Sequence, residues 1–136
     1  MTKSTVAKEA PWERLKAWQA CHELARAVVR STLKWPQEEM MGLTSDVRQA
    51  AIATEVNICM GSTAGSSREF RSYLRASLGK LAVVSNYLLF AGDMGYLKKE
   101  ELGELEILLD HATKLTDGLY RAVGKAAKNI KGQRSG

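Results

Sequence analysis

The side chains that most often perform catalysis or bind metals are few and widely spaced in this chain. The two histidines are His22 and His111, and neither lies in the Glu-x-x-His spacing by which helical bundles hold paired metal ions. Cys21 and His22 could pair as nucleophile and base, but neighbours on a helix point about 100° apart. The residues therefore predict no catalytic residue, no metal site and no enzymatic activity.

The glycine-rich run at residues 61–65 does not predict a phosphate-binding loop. It reads GSTAG, with no strand pattern before it and without the lysine that such loops need. We interpret it as a break between two helices, with Gly61 just past the first and Ser66 or Ser67 capping the second. No cofactor is expected, and Cys21 and Cys59, which lie in apolar helical patterns, are expected to be reduced and buried.

The formal net charge of +5 lies entirely at the C-terminal end of the chain. Residues 1–120 hold 15 basic and 15 acidic side chains, and the remaining residues hold five basic side chains and no acid. These five are Arg121, Lys125, Lys128, Lys131 and Arg134. Two interpretations stay open: the cations complement the dipole of a helix and aid solubility, or they form an arm that binds the phosphates of nucleic acid.

A second basic group has helical spacing. Arg68, Arg71 and Arg75 fall on one face at the predicted start of the third helix, where cations oppose the helix dipole. Because local physics does not favour this arrangement, the three arginines are a candidate nucleic-acid-binding stripe. A solvated face, or salt bridges that involve Glu69 or another subunit, is the alternative.

Four amphipathic helices must position these groups. Apolar residues recur at helical spacing over residues 12–33, 43–60, 68–91 and 98–127, and the breaks between these segments contain proline or glycine. A hydroxyl residue among Leu43-Thr44-Ser45 is expected to cap the second helix. Short connections between helices favour antiparallel neighbours, so the pattern predicts an all-α, antiparallel up-down-up-down four-helix bundle.

The composition is that of one soluble globular domain. The chain has 136 residues, of which 45% are hydrophobic and 26% are charged. We expect a flexible N-terminal segment at residues 1–11, the bundle at residues 12–127, and a basic flexible tail at residues 128–136. No apolar run is long enough for a membrane span and no secretory signal is visible, so a cytoplasmic protein with no membrane partner is expected.

The order and spacing of short motifs along nearly the whole chain resemble one bacterial family. The motifs are LKAWQA at residues 15–20, WP at 35–36, GLTSDVRQAA at 42–51, NICMG at 57–61, SREF at 67–70, ASL at 76–78 and GYL at 95–97. Together they resemble the four helix bundle protein family, first noticed as proteins encoded by intervening sequences within large-subunit ribosomal RNA genes. The resemblance covers about residues 12–123.

This resemblance implies a cytoplasmic up-down bundle that assembles as a homopentamer, has no known enzymatic activity and binds nucleic acid. At the level of the fold, the chain is also similar to the accessory proteins of diversity-generating retroelements, which form basic pentamers and partner a reverse transcriptase and its RNA. The chain departs from the family pattern at Met60 and Lys80, where glutamates are usual.

The function predicted from these observations is a non-enzymatic oligomer that binds RNA or DNA through repeated basic surfaces, as an accessory to a nucleic-acid enzyme such as a reverse transcriptase. The alternative is a protein-interaction scaffold with no nucleic-acid role. A tryptophan left exposed among Trp12, Trp18 and Trp35 would favour the scaffold, because exposed aromatic residues often anchor protein partners.

Overall fold

The predicted helices are present, and the protein is all-α. The computed structural model describes the backbone of residues 10–135 and the side chains of residues 10–128. The four helices are α1 (Lys16–Thr32), α2 (Leu43–Ser62), α3 (Ser67–Asp93) and α4 (Lys99–Ser135), and two short 3-10 helices are η1 (Pro11–Arg14) and η2 (Gln37–Glu39). No strand occurs within residues 10–135.

The ends of α1 and α3 follow local sequence signals. Helix α1 ends at Thr32, shortly before Trp35 and Pro36, because proline keeps the residue before it out of the helical region. Ser66 is the N-cap of α3, and its Oγ accepts a hydrogen bond from the Glu69 backbone N–H at 3.1 Å. Gly65 turns the chain before this cap with a φ of +90°.

The predicted hydroxyl cap of α2 is wrong. The N-cap is Gly42, which makes no side-chain cap bond, and Thr44 and Ser45 lie inside the helix. The physical reason is packing: Leu43 and Thr44 are buried, so the helix begins where the chain enters the core. Ser45 accepts instead a hydrogen bond from the Gln49 side chain at 3.0 Å.

The predicted position of Gly61 just past the end of α2 is also wrong. Gly61 is buried in the last turn of α2, where a Cβ would lie 2.8 Å from Phe70 Cδ1 and 2.8 Å from Tyr73 Cβ. The glycine is therefore needed for the close approach of α2 to α3. A helix-ending glycine and a close-packing glycine give the same local sequence pattern.

Helix α4 continues past the last apolar repeat near Val123 and runs to Ser135. Residues 128–135 of the predicted tail thus have helical backbone, since this segment holds several good helix formers, namely lysine, glutamine and arginine. The side chains of Lys131 and Arg134 lie outside the described residues, as do Gly136 and residues 1–9 of the predicted N-terminal segment.

The helices pack in a closed cycle with up-down-up-down order. Helix α1 packs against α2 and α4, and α3 packs against the same two helices. Leucine, isoleucine and valine fill the core, and the largest fully buried aliphatic side chains are Leu24, Ile58, Leu74, Leu81 and Leu88. Within the residues that the structure describes, no helix is both long and apolar enough to cross a membrane.

A polar layer crosses this core, with one buried side chain from each helix. Cys21 Sγ lies 3.6 Å from Thr116 Oγ1, which joins α1 to α4. Ser77 Oγ donates to the Thr54 carbonyl at 2.8 Å and joins α3 to α2. Because an unpaired buried polar group is costly, these pairs favour one axial alignment of the four helices.

Candidate nucleic-acid interface

The antiparallel packing of α3 and α4 brings the two predicted basic groups to the same end of the bundle. The first turns of α3 lie beside the last described turns of α4. We call residues 66–75 of α3 and 117–128 of α4 the basic end. It holds six cations and two acids: Arg68, Arg71, Arg75, Arg121, Lys125 and Lys128, with Glu69 and Asp117.

Arg71 fixes the contact between the two helices. Its guanidinium lies over the ring of Tyr120, 4.0 Å from the centroid, and its Nε donates to the Tyr120 carbonyl at 3.3 Å. Gly124 makes room for the group, because a Cβ there would lie 2.9 Å from Arg71 Cζ. The cation–π contact and the hydrogen bond place this charge on the surface in one orientation.

Arg75 and Arg68 extend the row on either side of Arg71. The Arg75 Nη2 donates to the Tyr120 hydroxyl at 3.3 Å, and its guanidinium carbon lies 5.9 Å from the centre of that ring. Arg68 is exposed one turn nearer the start of α3. Two of the three predicted arginines, Arg71 and Arg75, thus contact α4 through Tyr120.

The cations of α4 differ in their pairing. Arg121 Nε lies 3.1 Å from Asp117 Oδ2, so one of the five C-terminal cations pairs with an acid from earlier in α4. The spacing of four residues on one helix explains the pair, and because both side chains are exposed it is weak. Lys125 and Lys128 are exposed and make no ion pair with another described residue. They are the cations most available to a phosphate.

The opposite end of the bundle has a different charge pattern. Lys34 forms an ion pair with Glu101, and the Lys98 backbone N–H donates to the same carboxylate at 3.0 Å. The hydrogen bond that Lys34 donates to the Glu101 carboxylate holds the pKa of Glu101 below its usual value. Exposed Glu100 and Glu104 lie on the same helix, so cations at this end have acids close by.

The core thiol is not an activated nucleophile. Burial raises the pKa of Cys21 above its usual value, although hydrogen bonds with Thr116, Thr54 and Ser77 act in the opposite direction. Cys59 is half-buried, and both thiols are free. No group of three or more metal-binding side chains occurs in the part of the chain that the structure describes.

Comparison with known proteins places the chain in a family. The family model of the 23S rRNA-intervening sequence protein matches residues 13–118. The chain belongs to this family. A solved structure from Bacteroides thetaiotaomicron, described as a protein of unknown function from the S23 ribosomal protein family, shares the fold. It is 15% identical over 77% of this chain and 95% of its own, with a TM-score of 0.70. No curated protein matches.

The two departures from the expected family pattern at Met60 and Lys80 lie on the surface of this family member. Met60 is exposed at the end of α2, and Lys80 is exposed on α3 beside a groove that also contains Asp46 and Gln49. Neither substitution changes the buried core. Their effect is therefore on what the surface can contact.

Sequence reasoning missed three residues that organise the surface of this family member. The Tyr120 ring contacts the Arg71 guanidinium, and Gly124 leaves space for it. The sequence does contain a signal for this site: a glycine follows an aromatic residue by four positions, on the helix expected to pack beside the arginine stripe. Glu55 pairs with His22 at 2.7 Å. That pair spans 33 residues of sequence, and no local spacing indicates it.

Proposed function

We propose that this protein is a non-enzymatic, cytoplasmic nucleic-acid-binding bundle that contacts RNA or DNA phosphates through its basic end. The observation that carries the proposal is the juxtaposition of Arg68, Arg71 and Arg75 with the cations of α4. Two groups of cations that are separate in the sequence form one surface with few acids. Phosphate contacts of this kind supply most of the sequence-independent affinity for nucleic acid.

The cations of the basic end contact phosphates in different ways, depending on whether their side chains are oriented or mobile. Arg71 and Arg75 are oriented by Tyr120, so they present guanidinium donors with little loss of side-chain freedom. Lys125 and Lys128 are exposed and act as mobile point charges, and Lys131 and Arg134 continue the same sequence pattern. Arg121 contributes after it exchanges Asp117 for a phosphate.

Self-assembly repeats the basic end once in every subunit. The family resemblance implies that the assembly is a homopentamer. The support is α2, where Ile52, Val56 and Met60 are 44%, 42% and 41% exposed at a spacing of four residues. Between Gln49 and Ser62 the only charged residue of α2 is Glu55, which is paired with His22. A helix face without free charge is typical of a subunit interface. Repeated basic ends then bind one nucleic acid multivalently, in the role of accessory to an enzyme such as a reverse transcriptase.

A salt series with charge-reversal variants tests the proposal. Wild-type protein should bind labelled RNA or DNA in fluorescence anisotropy with an affinity that falls steeply with salt. The double variant Lys125→Glu, Lys128→Glu should lower both the affinity and the salt slope, the latter by about one for each phosphate that the variant no longer neutralises. The matched control is Lys98→Glu, Lys99→Glu, which makes the same charge change at the opposite end. Equal decreases of affinity in both double variants would contradict a localised interface.

A protein-interaction scaffold is the second candidate, because one observation favours it. Leu89, Phe90 and Met94 are 53%, 51% and 51% exposed near the end of α3 that lies away from the basic end. Exposed apolar side chains that cluster in this way often mark a protein contact. The tryptophans do not add to it, because Trp35 is buried and Trp12 and Trp18 are half-buried. Partners that survive nuclease treatment in a pull-down, and that Phe90→Ser releases, would support the scaffold.

A further inference from the structure

One side of α1 carries an aromatic and basic row that the basic end does not include, half-buried in its aromatic half and exposed in its basic half. Trp18, His22, Arg26 and Arg30 follow one another at intervals of four residues, so they lie along one side of the helix. We call these four residues the α1 row. Its Trp18 end lies close to the basic end, because α4 packs between α1 and α3 and the Cys21–Thr116 contact sets Trp18 level with the last described turns of α4, while its arginine end lies farther along α4.

The aromatic half of the row is held in place. The rings of Trp18 and His22 are stacked, with centroids 4.7 Å apart and planes 12° from parallel. His22 Nδ1 also lies 2.7 Å from a carboxylate oxygen of Glu55, whose side chain is only 14% exposed. The imidazole itself is 43% exposed, so the stack is in contact with solvent at His22. An oriented stack of this kind loses little entropy when another ring is added.

The basic half of the row is free to bind an anion. Arg26 and Arg30 are exposed and make no ion pair with another residue in the described part of the chain. Both line an open groove between α1 and α4 of about 490 Å³, whose two arginines are accompanied by one acid, Glu23, and whose other lining residues are Trp18, Gln19, His22, Ala27 and Leu108. Ligand sites for small molecules fall in the range of roughly 300–1,000 Å³. The groove therefore has room for a nucleotide, with an aromatic surface at one end and guanidinium groups at the other.

We propose that this groove binds an unpaired nucleotide of a single-stranded nucleic acid. The base stacks on the Trp18–His22 pair, and the neighbouring phosphates contact Arg26 and Arg30. A duplex does not offer a free base face to the stack, so the α1 row selects single strands, whereas the basic end accepts both forms. This inference rests on the proposed function, because the basic end supplies the phosphate contacts that bring the strand to the groove.

The test compares a single-stranded RNA or DNA oligonucleotide with the duplex of the same sequence. Trp18→Leu should weaken single-strand binding about tenfold and leave duplex binding within about twofold, since stacking acts on one form only. Trp18→Phe keeps an aromatic ring and should restore most of the affinity. Arg26→Gln with Arg30→Gln should weaken single-strand binding more than the matched surface pair Lys98→Gln with Lys99→Gln.

A fluorescence measurement keeps the proposal testable if Trp18→Leu alters folding. In the variant Trp12→Phe, Trp35→Phe the only tryptophan is Trp18, and its emission should be quenched by the single strand but not by the duplex. Quenching by free adenosine monophosphate at equal nucleotide concentration, as strong as by the strand, would overturn the assignment to a strand. Unchanged emission, or equal weakening of single-strand and duplex binding in Trp18→Leu, would contradict the proposal that the groove binds an unpaired nucleotide.

The failure of this inference is distinguishable from the failure of the proposed function. Wild-type protein that binds neither oligonucleotide contradicts both. Wild-type protein that binds both forms with a steep salt dependence, but whose binding is unaffected by Trp18→Leu, retains the basic end as the interface and excludes the α1 row.

Discussion

Single side chains in this bundle act according to their surroundings rather than their type. Arg71 is held by a ring, a carbonyl and a missing Cβ, whereas Lys125 has no ion-pair partner among the described residues. His22 is aligned by Trp18 and Glu55. These contacts decide whether a cation is held in one orientation or is mobile. A held arginine offers hydrogen-bond donors in a fixed direction, whereas a mobile lysine contributes only its positive charge.

The two cysteines should differ in reactivity for the same reason. Cys21 is fully buried and its thiol pKa is raised, whereas Cys59 is half-buried. Since the thiolate is the reactive form, an alkylating reagent at neutral pH should label Cys59 well before Cys21. Mass spectrometry of the labelled protein measures the two rates. In a denaturant the rates should become similar, and equal rates in the folded protein would contradict the buried polar layer.

The raised thiol pKa also sets the sign of a pH effect. The folded state holds the Cys21 proton more tightly than the unfolded state does, so the contribution to stability is complete below the ordinary thiol pKa of 9.0 and disappears as pH rises through the folded value. Cys21→Ala should therefore flatten the fall in stability above pH 9.0. Urea denaturation at a series of pH values measures this, and an unchanged fall in the variant would assign the pH effect to other groups.

At the scale of elements, the contact between α2 and α3 depends on one glycine. Gly61→Ala should destabilise the protein by about 1–3 kcal/mol, because the new Cβ meets Phe70 and the Tyr73 Cβ at 2.8 Å and the helices must separate. Gly79→Ala is the matched control. Nothing lies within 4 Å of a Cβ at Gly79 in α3, so alanine there should stabilise by up to about 1 kcal/mol through helix propensity.

Urea denaturation followed by circular dichroism measures both substitutions. The expected free energies of unfolding change in opposite directions for two identical chemical changes in adjacent helices. Equal stabilisation by both alanines would show that α2 and α3 do not approach as closely as the structure has them.

Elements were predictable from sequence where one signal dominates. The spacing of apolar residues predicted four helices, and Ser66 was among the two predicted caps of α3. The roles of Gly61 and Gly42 were not predictable, because each depends on which residues of other helices enter the core. The arginine stripe was visible on its helix, but its partner Tyr120 lies 45–49 residues away in sequence.

At the scale of the whole molecule, we expect assembly through α2. Val56→Glu introduces a charge into the exposed apolar row of Ile52, Val56 and Met60. The substitution should lower the mass in solution towards that of a single chain while the helical content is kept, because a buried unpaired charge is costly. Asn86→Glu, on an exposed position of α3, is the control. Light scattering that shows the same mass for wild type and Val56→Glu would exclude this face.

The order of the helices and the distribution of charge together support the proposed function. The up-down order sets the start of α3 beside the end of α4, which no property of either helix alone requires. The solved structure from Bacteroides thetaiotaomicron shares this fold, and the charges at the basic end are those of this chain's own sequence. The central claim is therefore about location: one end of the bundle contacts nucleic acid.

Lysine footprinting tests that location most directly. The protein is acetylated with and without a saturating oligonucleotide, and each lysine is quantified by mass spectrometry. Exposed lysines occur at both ends, with Lys125 and Lys128 at the basic end and Lys98 and Lys99 at the other. We expect nucleic acid to protect Lys125 and Lys128 and to leave Lys98 and Lys99 unchanged. Protection of Lys98 and Lys99, with Lys125 and Lys128 acetylated as in the free protein, would contradict the proposed location.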